Sequence, residues 1–246
     1  MTILDSPGAP DTGIDALALG TAVARVRETS SDQPLFTDRY SQMLVDAAGP
    51  MEPDQAALAV PDYVAARTKW FDDFFLAASA AGLAQIVLLS PGLDTRAWRL
   101  PWLNDTVIFE VDRPRTLAFK QQTLTRAGVT PTATYVPVPV DLGDDWPRAL
   151  TAAGFSHSEP TAWAAEGLYA DRPEAEQDNL LERIDLYSAR GSRIAMDVDA
   201  DGPDVVCWLC ARHWEMGSTD APDVMARYHR DATGAPSGVF VEGRKL

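Results

Sequence analysis

One predicted turn and the two carboxylates that follow it in the sequence are the features best suited to bind a nucleotide-like ligand. The apolar run from Ile86 to Leu89 has the length and β-branched content of a buried strand, and it ends at Ser90-Pro91-Gly92, which suits a sharp turn. A second apolar run, Val107 to Phe109, leads to Glu110 and Asp112. In dinucleotide-binding folds, a carboxylate about twenty residues after the turn hydrogen-bonds to the ribose hydroxyls. The spacing therefore predicts a βαβ unit with a ribose-binding carboxylate.

The same turn disfavours a bound pyrophosphate. The dinucleotide fingerprint needs three glycines, whereas here Ser90 and Asp94 stand where two of them would be and Gly92 is the one present. An adenosine ribose without phosphates fits better, and S-adenosylmethionine (SAM) has that composition. Two alternatives stay open at this point. The first is a nicotinamide-dependent dehydrogenase, and the second is a tight turn with a buried Gly92 and no ligand.

Length, composition and charge limit the class of protein. With 246 residues and 46% hydrophobic residues, the chain has enough apolar surface for one full α/β core. The formal net charge is -15, without a basic cluster, which makes nucleic acid and anionic membranes poor partners. No apolar run reaches the length of a membrane span, and the amino terminus lacks the pattern of a secretion signal. We therefore expect a cytoplasmic enzyme.

Cysteine and histidine residues show no metal-ligand spacing. Cys207 and Cys210 are the only cysteines, and they stand three residues apart in an apolar segment that predicts a buried helix. No second ligand pair completes a zinc site, so a redox pair or half of a metal site is the alternative to a structural role. The three histidines are expected at the surface or at helix caps: His157, His213 and His229.

The order of predicted elements is that of a doubly wound, mostly parallel sheet with an N-terminal helical extension. Residues 1–13 are predicted to be a mobile tail, and residues 14–246 a single domain made of N-terminal helices (14–82), a cofactor-binding core (83–198) and a short C-terminal region (199–246). Helices are predicted at 14–28, 38–48, 61–82, 96–100, 114–127, 146–153 and 173–189, and strands at 86–89, 107–111, 134–140, 161–165 and 192–198.

Four carboxylates follow predicted strands, and the carboxyl ends of parallel strands share one crevice. They are Glu110, Asp112, Asp141 and Glu166. Each one taken alone is equally suited to cap a helix N-terminus. Four together favour a ligand site.

These segments resemble the class I SAM-dependent methyltransferases, with their Rossmann-like fold, and within them the leucine carboxyl methyltransferase-like branch known from actinobacteria. The resemblance covers most of residues 14–198. It is carried by Ala66-Arg67-Thr68-Lys69-Trp70-Phe71-Asp72-Asp73, Gly92-Leu93-Asp94-Thr95-Arg96-Ala97-Trp98-Arg99-Leu100, Phe109-Glu110-Val111-Asp112-Arg113-Pro114, Val140-Asp141-Leu142 with Asp145-Trp146, and Ala165-Glu166-Gly167-Leu168.

The resemblance implies SAM as cofactor and S-adenosylhomocysteine (SAH) as product, without a metal. It implies that Arg67 pairs with the SAM carboxylate, with a helix-surface pairing to Asp72 as the alternative. The other implied cofactor contacts are Gly92 with the methionine part, Asp112 and Glu110 with the ribose, Asp141 and Leu142 with the adenine, and Glu166 with the methionine amino group or the acceptor. As an alternative to binding the ribose, one of Asp112 and Glu110 forms a salt bridge with Arg96. Asp94 and Arg96 are expected to form a pair that locks the loop.

Three departures from these relatives bear on the methyl acceptor. Pro91 removes a backbone donor from the loop, and the segment from Tyr169 to Pro173 is more polar than in relatives. Relatives also carry several tens of residues between the fifth strand and the closing hairpin, where this chain has few. The region that covers the acceptor is therefore predicted to be shortened.

The predicted activity is O-methylation of a carboxylate or hydroxyl on a small metabolite, with secondary metabolism as the expected setting. A carboxylate acceptor needs no general base, whereas a hydroxyl would need one, with Glu166, Tyr169 and His213 as candidates. The alternative is a SAM- or SAH-binding protein of the same fold that has lost methyl transfer. A homo-oligomer is compatible with either.

Overall fold

The computed structural model describes residues 14–103, 105–169 and 172–246, so the tail predicted for residues 1–13 lies outside it. The helices are α1 Ala16–Thr29, α2 Arg39–Ala48, α3 Gln55–Ala59, α4 Pro61–Ala80, α5 Arg96–Arg99, α6 Pro114–Arg126, α7 Trp146–Ala152, α8 Glu174–Leu186, α9 Val205–Cys210 and α10 Ala221–Arg227. The strands are β1 Gln85–Leu89, β2 Val107–Asp112, β3 Thr134–Pro139, β4 Thr161–Ala165, β5 Arg193–Asp199, β6 Trp214–Asp220 and β7 Gly238–Lys245.

The strands form one seven-stranded sheet in the order β3-β2-β1-β4-β5-β7-β6. Five neighbouring strands of this order run parallel, namely β3, β2, β1, β4 and β5. Strand β7 pairs antiparallel with both β5 and β6. The chain leaves β1 toward β2 and β3 on one side and later returns to place β4 and β5 on the other. Ligands of open α/β sheets bind at such a switch point, at the carboxyl ends of the strands. The predicted doubly wound, mostly parallel sheet with an N-terminal helical extension is confirmed.

Alternating side chains of the central strand feed two apolar cores, one on each face of the sheet. Ile86 and Leu88 belong to the core beneath α4, whereas Val87 and Leu89 belong to the core beneath α7 and α8. The aromatic stripe of α4 lies in the first core, with Phe71 and other rings fully buried. Each buried aromatic side chain contributes roughly 1.5 to 3 kcal/mol, so this stripe fastens the N-terminal helices to the sheet.

Helix α3 in the N-terminal region and the end of helix α8 in the core differ from the prediction. The short helix α3 was not predicted, and it packs closely on α1 because Gly20 has no side chain where a Cβ would lie 2.9 Å from the Asp54 carbonyl oxygen. The helix predicted to run to Ala189 ends at Leu186, where the Ser188 hydroxyl bonds to the Ile184 carbonyl in the last turn.

The cysteine prediction was wrong in one respect. Helix α9 forms as predicted, but Cys207 and Cys210 are exposed. The reason is that this short helix turns only its Val205 and Leu209 side chains, four residues apart, into the core. All three histidines are exposed, as predicted. Across the described ranges, no helix combines the length and the apolar character of a membrane span.

Candidate functional site

A cavity of about 480 Å³ lies at the carboxyl ends of β1, β2 and β4, at the switch point of the sheet. Its volume is within the range of small-molecule sites, roughly 300 to 1,000 Å³. Helix α1 forms the facing wall, with Leu17, Ala18, Thr21 and Arg25 along the cavity. The cavity is therefore held between the sheet edge and the N-terminal helix.

The loop after β1 is fixed by the end of β2. The Gly92 N–H donates to Asp112 Oδ2 at 2.7 Å, and the Ser90 N–H donates to the Val111 carbonyl at 2.7 Å. Gly92 has φ +56°, and a Cβ there would lie 2.9 Å from the Ala18 Cβ. Glycine is required at this position by both the backbone conformation and the close approach of α1.

Asp112 lies where the sequence predicted it, at the end of β2 and bordering the cavity. Its carboxylate accepts from the backbone N–H groups of Gly92 and Arg113, both at 2.7 Å. Burial raises the pKa of Asp112, and these two hydrogen bonds oppose the shift. Since a carboxylate offers about four lone-pair sites, Asp112 retains capacity for ribose hydroxyls.

Glu110 does not reach the cavity, contrary to the expectation. It lies inside β2, two residues before Asp112, and is fully buried against α6 and β3. Its Oε2 is 2.6 Å from Lys120 Nζ and accepts from the Tyr135 hydroxyl at 2.7 Å. Two residues of strand span roughly 6.6 Å, which places this carboxylate a full layer below the edge of the sheet. Burial raises the pKa of Glu110 to about 7, although Lys120 opposes the shift.

Asp141 and Leu142 follow β3 on the same side as Asp112. Asp141 borders the main cavity and accepts from the Gly143 N–H at 2.8 Å. Leu142 is largely buried and borders, with Ser90, Asp112 and Asp141, a smaller pocket beside it. The structure thus brings together Asp112, Asp141 and Leu142, which the resemblance assigned to adenosine, but not Glu110.

Glu166, at the end of β4, is surrounded by three arginines. It pairs with Arg96 Nη1, with Arg25 Nη2 at 3.2 Å and with Arg67 Nε at 3.4 Å. Burial alone would raise the pKa of Glu166, but the three guanidinium groups outweigh it and the pKa is lowered. A carboxylate held ionised in this way is a weak proton acceptor.

Tyr169, the other candidate base, is directed away from the cavity. Its ring packs in the core beneath α7 and α8, with 1% of the residue exposed. Its hydroxyl has no hydrogen-bond partner, and burial raises its pKa to about 12. Neither Tyr169 nor the exposed His213 is among the residues bordering the cavity in the described part of the chain.

The pair Asp94 and Arg96 locks the loop as the sequence predicted. Asp94 Oδ2 is 2.6 Å from Arg96 Nη1, and its Oδ1 accepts from the Arg96 N–H at 2.7 Å. Arg96 Nε also donates to Asp72 Oδ1 at 2.7 Å. The structure therefore pairs Asp72 with Arg96 and Arg99 rather than with Arg67, and Arg96 pairs with neither Glu110 nor Asp112.

Two residues of this ionic cluster were missed. Arg25 of α1 reaches Glu166 and, at 3.5 Å, Asp94. Asp197 of β5 accepts from the Gly167 N–H at 2.6 Å and lies 3.3 Å from Arg67 Nη1. Asp197 carries the same signal as the predicted residues, a carboxylate at the end of an apolar strand, whereas nothing in the sequence distinguishes Arg25 from surface arginines.

A family model for leucine carboxyl methyltransferase matches residues 18–185, which include α1 from Ala18 onward and the ends of β1, β2, β3 and β4. The chain belongs to this family. It is therefore a SAM-dependent methyltransferase of class I fold, and its cofactor is SAM. Membership of this family excludes the dehydrogenase alternative.

Relatives of this methyltransferase occur in mycobacteria. The chain is 98% identical to a Mycolicibacterium gilvum protein named "Putative S-adenosyl-L-methionine-dependent methyltransferase", over 100% of both chains. A relative of the same name from Mycobacterium sp. KMS is 42% identical over 252 residues, covering 96% of this chain and 98% of the relative. A Mycobacterium tuberculosis H37Rv relative is 36% identical, covering 94% and 95%. That alignment runs over 297 residues, so this relative has segments that the 246-residue chain lacks.

Solved structures of low sequence identity share the methyltransferase's fold. A Thermobifida fusca protein described as a "putative methyltransferase" superposes with a TM-score of 0.57 at 15% identity, covering 99% of both chains. Magnesium protoporphyrin IX methyltransferase from Synechocystis, solved with bound SAM, gives a TM-score of 0.53 at 10% identity, covering 98% of this chain and 100% of that one.

The cavity of this methyltransferase fits SAM in its polarity. Asp112 and Asp141 border one end, beside β2 and β3, where adenosine hydroxyl and amino groups need acceptors. Arg67 and Glu166 border the other end, beside β4, and this pairing of a guanidinium with a carboxylate suits a zwitterionic amino-acid group. Arg67 Nε is buried without a hydrogen bond, so the guanidinium keeps donor capacity.

Proposed function

We propose that this protein transfers the methyl group of SAM to a carboxylate oxygen of a small metabolite, forming a methyl ester. The observation that carries the proposal is the composition of the cavity wall. Among the residues bordering it in the described ranges there is no histidine, lysine, cysteine or tyrosine. Together with Asp and Glu, those side chains supply most general bases. An acceptor that is already anionic near pH 7, such as a carboxylate, needs none.

Each of the six carboxylates that border the cavity, in the part of the chain that the structure describes, already has a partner. Four of them contact an arginine or a backbone N–H: Asp15, Asp94, Asp141 and Glu176. Glu166 is paired with three arginines and its pKa is lowered, while Asp112 accepts two backbone hydrogen bonds at the adenosine end. A phenol or alcohol acceptor would have to lose its proton to one of these groups. The arrangement therefore favours carboxylate over hydroxyl methylation.

When bound, SAM supplies an electrophilic methyl group on a positively charged sulfur. The chain's part is to bind and orient both reactants and to exclude water, which is catalysis by proximity and orientation. In the proposal, Asp112 binds the ribose, Asp141 and Leu142 the adenine, and Arg67 with Glu166 the amino-acid end. Helix α1 covers the cavity and limits the access of water.

Guanidinium groups at the cavity suit an anionic acceptor. Arg172 borders the same cavity, and its Nε is buried without a hydrogen bond while Nη1 lies 3.1 Å from Glu176. A cavity of about 480 Å³ behind α1 leaves room for a small acceptor beside SAM rather than for a protein terminus.

The test uses SAM labelled with tritium in its methyl group and a small-molecule extract of Mycolicibacterium gilvum, the organism of the relative at 98% identity. Methyl esters release volatile tritiated methanol in mild alkali, whereas methyl ethers and N-methyl groups do not. We expect alkali-volatile label that depends on the protein, and a rate that changes little between pH 6.5 and 8.5. Alkali-stable label would overturn the carboxylate assignment, and SAM binding without any transfer would favour the non-catalytic alternative.

A further inference from the structure

Asp197, near the end of β5, joins three elements around the amino-acid end of the cavity. Its Oδ1 accepts from the Gly167 N–H at 2.6 Å, and its Oδ2 lies 3.3 Å from Arg67 Nη1. The Tyr63 hydroxyl of α4 lies 3.5 Å from the same oxygen. Asp197 is 8% exposed and does not border the cavity itself. Asp197 can therefore influence a ligand in the cavity only through the residues that it contacts.

The Arg67 guanidinium and the turn after β4 are in direct contact. Gly167 has φ +60°, and a Cβ there would lie 3.0 Å from Arg67 Nη1. One carboxylate thus fixes both the backbone amide and the guanidinium that lies against it. A free arginine side chain loses rotamer entropy when it is ordered. Because Asp197 orders Arg67 before a ligand arrives, binding does not incur that cost in full.

The order of strands indicates which part of SAM lies at Arg67. Asp112 is on β2, β1 lies next to it, and β4 and β5 follow on the far side. With the ribose at Asp112 and the adenine on the β3 side at Asp141, the amino-acid end of an extended ligand runs toward β4 and β5. Arg67, Glu166 and Gly167 meet it there.

We propose that Asp197 is a positioning residue that holds the Arg67 guanidinium and the Gly167 amide in the orientation that binds the amino-acid end of SAM. This inference rests on the proposed function, because it requires that end of the cofactor at Arg67. Asp197 itself contacts neither cofactor nor acceptor.

The experiment compares two ligands by calorimetric titration. SAH carries the amino-acid end, whereas 5′-methylthioadenosine has the same adenosine and sulfur without it. For Asp197→Asn we expect the Kd of SAH to rise about tenfold and the Kd of 5′-methylthioadenosine to stay within twofold of wild type. The matched control is Asp185→Asn, which removes a carboxylate that also accepts a hydrogen bond, from Trp214 Nε1 at 2.8 Å, but outside the cavity wall. Both affinities should stay unchanged in that control.

A double variant tests whether Asp197 acts through Arg67. With Arg67→Met already present, adding Asp197→Asn should raise the Kd of SAH by clearly less than the tenfold expected in the wild type, because the contact with Arg67 is already lost and the two effects are then not additive. Should Asp197→Asn fail to fold, Asp197→Glu keeps the charge, moves the carboxylate by one methylene and gives the same comparison.

Three results would overturn the inference. They are an unchanged SAH affinity in the Asp197 variant, an equal loss for both ligands, and full additivity in the double variant. A wild-type protein that binds 5′-methylthioadenosine but not SAH would also overturn it while leaving an adenosine site. A wild type that binds neither ligand would overturn the proposed function, and this inference with it.

Discussion

Arg96 is the residue on which the stability of the ionic cluster depends most. It is 2% exposed and pairs with Asp94, Asp72 and Glu166. Arg96→Met would remove one counter-charge from each of these buried carboxylates, whose remaining ion pairs are with neighbouring arginines. Breaking such a buried pair costs about 3 to 5 kcal/mol. At roughly 2 to 4 °C per kcal/mol for a chain of this size, we expect the melting temperature to fall by about 6 to 20 °C in calorimetry.

The control for Arg96→Met is Arg244→Met. Arg244 is 57% exposed at its side chain and lies 4.0 Å from Glu215. Exposed ion pairs contribute about 1 kcal/mol or less, so this variant should melt within a few degrees of wild type. Equal losses in the two variants would show that the buried cluster does not have the energetic weight inferred from its geometry.

At single positions, sequence spacing located the ends of strands but not the depth of a side chain. Asp112 and Glu110 gave the same signal, and only Asp112 borders the cavity, because two residues of strand separate them and Lys120 neutralises the deeper one. Arg25 gave no signal because its partners, Asp94 and Glu166, are about 70 and 140 positions away in sequence. Contacts of that separation follow from the packing of α1, which local patterns do not encode.

At the scale of elements, the close contact between α1 and the loop after β1 predicts a specific effect of Gly92→Ala. An alanine there must keep the backbone at φ +56°, and its Cβ would lie 2.9 Å from the Ala18 Cβ. The left-handed backbone costs about 1 to 2 kcal/mol, and displacing α1 costs more and disturbs the cavity wall. We expect the free energy of unfolding to fall by about 2 to 3 kcal/mol and the Kd of SAH to rise several-fold.

Gly128→Ala separates the two causes. Gly128 also has a left-handed backbone, at φ +71°, but a Cβ there meets nothing within 4 Å. The free energy of unfolding of this variant should fall by about 1 kcal/mol, and the variant should bind SAH as wild type does. Ala18→Gly combined with Gly92→Ala should recover part of the SAH affinity. If Gly92→Ala and Gly128→Ala behave alike, the contact with α1 has no functional weight.

The buried group of Glu110, Lys120 and Tyr135 joins β2, α6 and β3, and it predicts a pH dependence of stability. Burial raises the pKa of Glu110 from 4.5 to about 7. Between these two values the unfolded chain has released the proton that the folded chain still holds, so stability falls as the pH rises. Urea unfolding of wild type and Glu110→Gln from pH 4.5 to 8 measures this. The wild-type stability relative to the variant should decrease up to about pH 7 and stay level above it, and a difference that grows with pH would contradict the assignment.

For the whole molecule, the alternation of strands and helices was sufficient to predict the fold, and the prediction of a crevice at the strand ends followed from it. Periodicity marks which face of each element is buried, as for the stripe on α4. It does not tell how α1 packs across the sheet edge, because that placement depends on Arg25, Ala18 and Gly92 meeting groups from other elements. The exposed cysteines of α9 show the same limit. The helix is apolar on more than one face, but it buries only the face that carries Val205 and Leu209.

The net charge of -15 predicts that the whole molecule is stabilised by salt. Repulsion among its acidic groups reaches about 30 Å at 0.01 M ionic strength and less than 10 Å at 0.3 M. Raising sodium chloride over this range should raise the melting temperature by about 2 to 5 °C, while buried pairs such as Arg96 with Asp94 are screened little.

The matched variant is Asp178→Lys with Glu182→Lys, two exposed positions of α8 that stay a like-charged pair four residues apart while the net charge becomes less negative by four. It should melt higher than wild type in low salt and gain less from added salt. A melting temperature that falls with salt in the wild type would mean that attractive pairs such as Arg113 with Asp15 outweigh the overall repulsion.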